Sequence, residues 1–371
     1  MDFIATAGYG LEGIAAQELK HLGLTVTDIQ STRAQFTGTA LDACRANLWL
    51  RTAGHIALVI GKFEAKTFDA LFDAVRALAW EDYLPADAKF PITARCVSSQ
   101  LMSVPDCQRL VKKAVADRLC SRYHQLRCPE SGTEYPLECH IYKDAVTLSL
   151  NLSGAPLHMR GYRKLNGPAA LRETLAAAMV LLSHWRSERI FADPCCGTGT
   201  LLVEAALLGR NIAPGLNRSF GGEQYAFLPP ELWGQARQEA RDLAQRQAHL
   251  EILGSDIDPE ALSMAQYHAK AARVADAIRF SSADAARFRH DGAHGVLVTN
   301  PPYGVRMSDQ QNARRLASDL GRQYRALDAW SCHVISPDEG FEQAFGRKAD
   351  KKRPLYNGPL RCKYYQYFRN E

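Results

Sequence analysis

Short apolar runs ending in glycine or an acid divide the second half of the chain into strand-turn-helix units. Arg189-Ile190-Phe191-Ala192 reads as a strand and Leu201 to Leu207 as an apolar helix, with Asp193-Pro194-Cys195-Cys196-Gly197-Thr198-Gly199-Thr200 between them. Glu251 to Gly254 is a second short strand, running through Ser255-Asp256-Ile257-Asp258-Pro259 into a helix. Ala277 to Ser282 leads to Asp284, and Val296-Leu297-Val298 leads to Asn300-Pro301-Pro302-Tyr303. Strands of this length alternating with helical patterns predict a parallel, doubly wound α/β sheet. Cys332 to Ser336 adds a fifth strand. Pro354 to Tyr356, Asn357-Gly358 and Leu360 to Phe368 then predict a closing hairpin, with Asn-Gly as the turn signal. Leu232, Ala236, Ala240, Leu243, Gln247 and Leu250 recur at helical spacing, so residues 211–250 predict an inserted helix with its lead-in loop.

The first 160 residues follow a different pattern. Phe3-Ile4-Ala5 and Val26 to Ile29 predict strands around a helix bearing Leu11, Ile14, Ala15, Leu19 and Leu22. A second α+β unit starts near Phe63. It contains a helix with Phe68, Leu71, Phe72, Val75 and Leu78 on one face, a strand at 91–98, a helix at 105–123 and a strand at 140–150. On the 105–123 helix, Arg109, Lys112 and Lys113 share the face opposite Leu110, Val111, Ala114 and Val115. Such a face is either ordinary solvation or an RNA phosphate contact. The basic connector His158 to Lys164 adds Arg160 and Arg163 to the candidate RNA contacts.

Candidate chemistry gathers at the strand ends. Missing Cβ atoms in the loop Asp193 to Thr200 let backbone approach a ligand, and a helix N-terminus favours a carboxylate. The dinucleotide fingerprint is absent, because Val203 and Glu204 stand where further glycine is needed. That disfavours a pyrophosphate cofactor and leaves S-adenosylmethionine as the better candidate, with Asp193, Cys195, Gly197, Thr198 and Gly199 as its loop. Asp256 is placed to hold ribose hydroxyls. It lies 57 positions after Gly199 where about 20 is usual, and the inserted helix accounts for the excess. Asp258 before Pro259 fits a helix N-cap. Asp284 is placed either to accept from an adenine amine or to cap a turn.

Asn300-Pro301-Pro302-Tyr303 suits an exocyclic amine. Prolines donate no hydrogen bond and stiffen the backbone, so the Asn300 side-chain oxygen and the Pro301 carbonyl can both accept from one amino group. Tyr303 can then stack on the same base. Cys195 and Cys196 have no adjacent base to activate a thiolate.

Composition narrows the classes. The chain has 371 residues, 46% hydrophobic and 23% charged, enough for two or three domains. No apolar run reaches 18 residues and the N-terminus lacks a basic segment with an apolar core, so a cytoplasmic protein is expected. Ten cysteines without a CxxC pair indicate neither a disulfide framework nor a metal site. The net charge of +5 is a mild hint of a nucleic-acid partner. Between Arg347 and Arg369 eight Lys or Arg stand against one Asp, a basic stretch beside the closing hairpin that could reach phosphates.

With these motifs in order, the chain resembles the bacterial THUMP-domain class I RNA methyltransferases, in particular the family that methylates guanine N2 in 23S ribosomal RNA. The matching segments are Leu157 to Arg163, Ala170 to Ala178, the loop at 193–200, Asn211 to Gly215, Gly254 to Asp258 and Asn300 to Gly304. The resemblance implies a ferredoxin-like unit at 1–64, a THUMP RNA-binding domain at 65–155 and a Rossmann-like methyltransferase domain at 160–371. It further implies S-adenosylmethionine as cofactor and Asn300, Pro301, Pro302 and Tyr303 as the catalytic motif. The N-terminal half is expected to supply RNA affinity, and the methyltransferase half to bind cofactor without it. A transfer RNA guanine-N2 methyltransferase, an N6-adenine DNA methyltransferase and a non-catalytic RNA-binding protein remain as alternatives.

Overall fold

Two seven-stranded sheets organise the chain in this computed structural model, which describes residues 1–165, 171–304 and 307–368. Ala170 of the matching segments and Arg369 of the basic stretch lie outside the described residues. The first sheet comprises β1 (Asp2–Ala7), β2 (Thr25–Gln30), β3 (Arg33–Thr37), β4 (Ala53–Glu64), β5 (Ile92–Val97), β6 (Leu137–Tyr142) and β7 (Ala145–Asn151). Its order is β2-β3-β1-β4-β7-β6-β5. The two expected N-terminal units therefore share one sheet. The twelve-residue β4 pairs with β1 through its first half and with β7 from Ala57 onward, so it serves both. The single strand expected at 140–150 is instead the hairpin β6-β7. Lys143 and Asp144 both take positive φ at its turn and reverse the chain.

The second sheet comprises β8 (Phe191–Asp193), β9 (Ile252–Asp256), β10 (Ile278–Ser282), β11 (Val296–Thr299), β12 (Ser331–Ser336), β13 (Lys351–Asn357) and β14 (Leu360–Tyr367), in the order β10-β9-β8-β11-β12-β14-β13. Strands β8 to β12 are parallel, and β14 runs antiparallel to β12 and β13. Strand order reverses between β8 and β11. A crevice therefore opens outside their carboxyl ends, where open α/β sheets hold ligands. Asn357 pairs with Leu360, so the central turn residues are Gly358, at φ +62°, and Pro359. The Asn357 side chain is thereby left at the last paired position rather than inside the turn.

The two sheets are locked together by exchanged segments. The inserted helix is Pro230–Asp242, which ends before Gln247 and Leu250, and it packs on the helix Ala40–Trp49 of the N-terminal half. Phe220, Tyr225, Leu228, Trp233 and Ala236 belong to the N-terminal core, whereas Leu11 and Ile14 belong to the core beside the second sheet. Arg45 also grips Glu239 with two hydrogen bonds of 2.7 and 2.8 Å.

At the same seam the connector arginines depart from expectation. Arg160 is only 3% exposed; its guanidinium donates to the carbonyls of Leu157 and Arg51 and lies 3.6 Å from Glu204. Arg163 donates to the Leu171 carbonyl and to Thr200 Oγ1 and lies 3.4 Å from Glu173. A buried arginine needs its charge and N–H groups matched inside the protein. Arg160 braces the domain seam through the Arg51 carbonyl and Glu204, whereas the half-buried Arg163 is tied to Leu171, Thr200 and Glu173 within the C-terminal half.

Candidate active site

The ends of β8, β9, β10 and β11 enclose a cavity of about 420 Å³, within the range of small-molecule sites. Asp193, Cys195, Gly197, Thr198, Asp256, Asp284, Asn300, Pro301, Pro302 and Tyr303 all line it, with Leu171, Ile257, Ala261, Met264 and Leu316 among the apolar contributors. Gly199 lies behind the wall. Its φ of +79° starts the helix Thr200–Gly209, and a Cβ there would sit 2.9 Å from the Ala265 Cβ. Contrary to the expectation that it admits cofactor, its bareness permits helix-to-helix approach.

Hydrogen bonds shape the glycine loop from beneath. The Gly197 N–H donates to Asp256 Oδ2 at 2.8 Å and the Asp258 N–H to Asp256 Oδ1 at 3.0 Å. Asp256 thus anchors the loop as well as facing the cavity, with lone pairs left for ribose hydroxyls. His268, buried beneath the loop, has Nδ1 3.0 Å from the Thr198 carbonyl oxygen. Asp258 caps its helix through the Glu260 N–H, as its sequence position predicts. Asp284 caps its turn, accepting from the Ala286 N–H through Oδ1, and also lines the cavity.

Asp193 carries the most perturbed carboxyl of the site. Burial pushes its pKa up to about 7, against hydrogen bonds from Thr299 Oγ1 at 2.7 Å and the Cys195 N–H at 3.1 Å, both to Oδ1. No hydrogen bond uses Oδ2 among the described residues. A cationic ligand should favour the ionised form and drive off the proton. S-adenosylmethionine is therefore expected to bind more tightly as pH rises from about 6 to 8, with proton release visible by calorimetry in buffers of different ionisation enthalpy. Asp193→Asn should flatten that dependence. The same raised pKa makes the Asp193 contribution to stability complete below its unfolded value of about 3.9, and lost as pH climbs through about 7. Burial beside Asp193 and Asp256 pushes both the Cys195 and the Cys196 thiols up, which disfavours a nucleophilic thiolate.

At the end of β11 the acceptor motif is wired more tightly than its sequence implies. The Tyr303 hydroxyl donates to Asn300 Oδ1 at 2.6 Å and accepts from Asn357 Nδ2 at 3.1 Å. The Asn300 oxygen is consequently not an idle acceptor, although a carbonyl has a second lone pair. Burial pushes the Tyr303 phenol upward, so it stays protonated and able to donate. Asn357 enters the site unannounced, since in sequence it resembles only the first residue of a turn.

Of the remaining candidates, Arg109 is exposed but paired with Asp106. Lys112 donates to the Phe90 carbonyl, pairs with Glu130 and lies over the Phe90 ring at 4.1 Å. Lys113 is exposed, its ammonium 5.7 Å from the Phe72 ring centroid. Lys112 is thus committed to local structure, and the solvent-facing charge of this helix face falls to Arg109 and Lys113. No described helix is long and apolar enough to cross a membrane.

The parallel sheet with its closing antiparallel hairpin and the strand-end cavity define a class I, S-adenosylmethionine-dependent methyltransferase. The chain belongs to the RMKL-like methyltransferase family, matched over residues 160–366, with an RlmL ferredoxin-like domain matched at 2–57 and a THUMP domain at 65–151. It is 42% identical over 98% of its length to YpsC of Bacillus subtilis, provisionally named an RNA methyltransferase, and covers 95% of that protein. It is 32% identical to the ribosomal RNA large subunit methyltransferase K/L of Shewanella baltica, matching over 99% of its own length and spanning about half, 53%, of that relative. Among solved structures, one from Listeria monocytogenes described as a predicted N6-adenine-specific DNA methylase superposes with TM-score 0.95 at 44% identity, covering 99% of this chain and 96% of that one. Another, provisionally described as a methyltransferase and complexed with S-adenosylhomocysteine, superposes with TM-score 0.93 at 37% identity, covering 100% and 98%.

Proposed function

We propose that this protein methylates the exocyclic N2 of a guanine in 23S ribosomal RNA. The observation that carries this reading is the presence on one chain of two parts: an amide-and-proline acceptor motif at the cavity, and a THUMP domain that shares its sheet with the ferredoxin-like unit. The names of the relatives favour RNA, and those of the K/L proteins favour the large ribosomal subunit. A DNA methyltransferase needs a domain that reads a duplex sequence. Here that place is taken by the ferredoxin-like and THUMP domains.

S-adenosylmethionine supplies an electrophilic methyl group when bound. Asp193, Cys195, Gly197, Thr198, Asp256 and Asp284 are the residues that would hold it, and Asp193 Oδ2 gives its positive charge an acceptor. The target base has to leave its stack, or lie in an open region, before its amine can enter. The Pro301 carbonyl and the second lone pair of Asn300 Oδ1 then orient the amine, while Tyr303 holds the base plane. Alignment of this kind lowers the barrier by removing orientational freedom before the reaction. No strong general base is required, because the amine can lose its proton after attack.

Nucleoside mass spectrometry of ribosomal and transfer RNA, from cells with and without the gene, tests the reading. N2-methylguanosine should disappear from 23S ribosomal RNA in the deletion. Loss from transfer RNA alone would reassign the substrate, and loss of N6-methyladenosine would overturn the guanine assignment.

A further inference from the structure

Tyr9 and Tyr356 are 52% and 39% exposed, yet they pack edge-on against each other with ring centroids 5.4 Å apart. Tyr9 follows β1 in the N-terminal half and Tyr356 lies on β13, so the pair bridges the two halves. Its backing is rigid. Gly10, at φ +83°, abuts β13 so closely that a Cβ would sit 2.9 Å from the Pro354 carbonyl oxygen, and the neighbours Leu11 and Leu355 are both buried. Single exposed aromatics are common on protein surfaces. What sets this pair apart is its position.

Tyr356 immediately precedes Asn357, whose side chain donates to the Tyr303 hydroxyl; on the pleated strand the two side chains stand on opposite faces, so the tyrosine pair lies around the hairpin's edge from Tyr303. Lys363 of β14 stands opposite Ser336 at the end of β12, so the hairpin turn extends past the same sheet edge that carries Asn300. Arg361 is the cross-strand partner of Tyr356; it is exposed and has no ion pair or side-chain hydrogen bond among the described residues. In the same basic stretch Lys352 pairs with Glu342 and Lys363 with Glu339. An open cation beside two exposed rings is the combination that binds unpaired nucleotides, with bases stacked on the aromatics and phosphate on the arginine.

We infer that Tyr9, Tyr356 and Arg361 form a platform for unpaired RNA nucleotides flanking the methylated one. The inference rests on the RNA reading of the Asn300 site and adds the path by which the strand reaches it. Both halves of the protein contribute, so the platform exists only when they are docked. That ties substrate grip to the interdomain seam.

Equilibrium binding of in-vitro-transcribed 23S ribosomal RNA at fixed salt tests the platform, with calorimetric S-adenosylmethionine binding as the control for folding. The Tyr9→Ala/Tyr356→Ala double variant should bind cofactor normally and raise the RNA Kd about 10-fold or more. The Tyr9→Phe/Tyr356→Phe double variant should remain near wild type, because stacking needs the ring. Arg361→Ala should lower the slope of log Kd against log salt by about 1. Single Tyr9→Ala, in a surface turn, supplies the same readout with about a severalfold loss should the double variant fail to fold. Unchanged RNA affinity in a cofactor-competent alanine variant overturns the platform, and equal losses in the alanine and phenylalanine variants overturn stacking. Tyrosine-dependent RNA binding without any N2-methylguanosine in the nucleoside analysis would instead count against the proposed reaction and leave the platform standing.

Discussion

Asn300→Ala is expected to keep S-adenosylmethionine binding and lose methyl transfer by about 10²-fold or more. In the proposed reaction the side chain accepts from the target amine, an interaction whose value lies in alignment at the moment of transfer. Its removal has a second consequence that only the structure reveals. Tyr303 would lose the acceptor of its 2.6 Å hydrogen bond while keeping the contact from Asn357, so the ring proposed to hold the base plane would be less firmly tethered. Tyr303→Phe should still be milder than Tyr303→Ala, since the ring survives, but it is not expected to be silent. Without the hydroxyl, Asn300 is free to rotate its amide and present nitrogen instead of oxygen to the amine. Single-turnover kinetics with labelled methyl donor, alongside calorimetry for the cofactor, separates alignment from binding. Full turnover by Asn300→Ala would remove the residue from the reaction.

The parallel sheet and its strand-end residues were legible because their signals are local. A buried parallel strand reads as an apolar run, and the acid or amide that follows it marks where the chain leaves the sheet. Asp193, Asp256, Asp284 and Asn300 could therefore be placed at one edge without coordinates, and they line one cavity. What stayed hidden depends on pairing between distant segments. The sharing of β4 by two units follows from its length and its two partners, neither of which is visible in its own residues. The connector arginines show the same limit. A run such as His158 to Lys164 looks solvated from composition alone, whereas Arg160 finds Glu204 and the Arg51 carbonyl only after both halves have folded. Asn357 was obscured by a stronger rule, because Asn-Gly is so good a turn signal that a role for the asparagine side chain had no sign of its own. The register moves the turn one residue onward and releases it.

Deleting residues 1–155 should abolish soluble expression and, with it, cofactor binding. This reverses the outcome expected if the methyltransferase half were self-contained. The inserted segment places Phe220, Tyr225 and Trp233, each at most 3% exposed, in the N-terminal core, so the truncation would uncover three large aromatic side chains together. Stacking of Tyr225 on Tyr135 at 4.3 Å and the Arg45 grip on Glu239 would vanish as well. Removal of Leu11 and Ile14 would open a gap in the methyltransferase core itself. Arg160 would lose its acceptor at the Arg51 carbonyl, and its pair with Glu204 would be opened to solvent. Expression trials and calorimetry on the 156–371 fragment measure this directly. A folded fragment that binds S-adenosylmethionine with wild-type affinity would show that the seam contributes little. A gentler probe leaves both cores intact: Arg45→Ala removes one exposed-side clamp, and it should lower the thermal midpoint only slightly, because a partly exposed ion pair contributes about 1 kcal/mol or less. The contrast between these two outcomes locates the interdependence in the exchanged hydrophobic segments rather than in the charges at their rim.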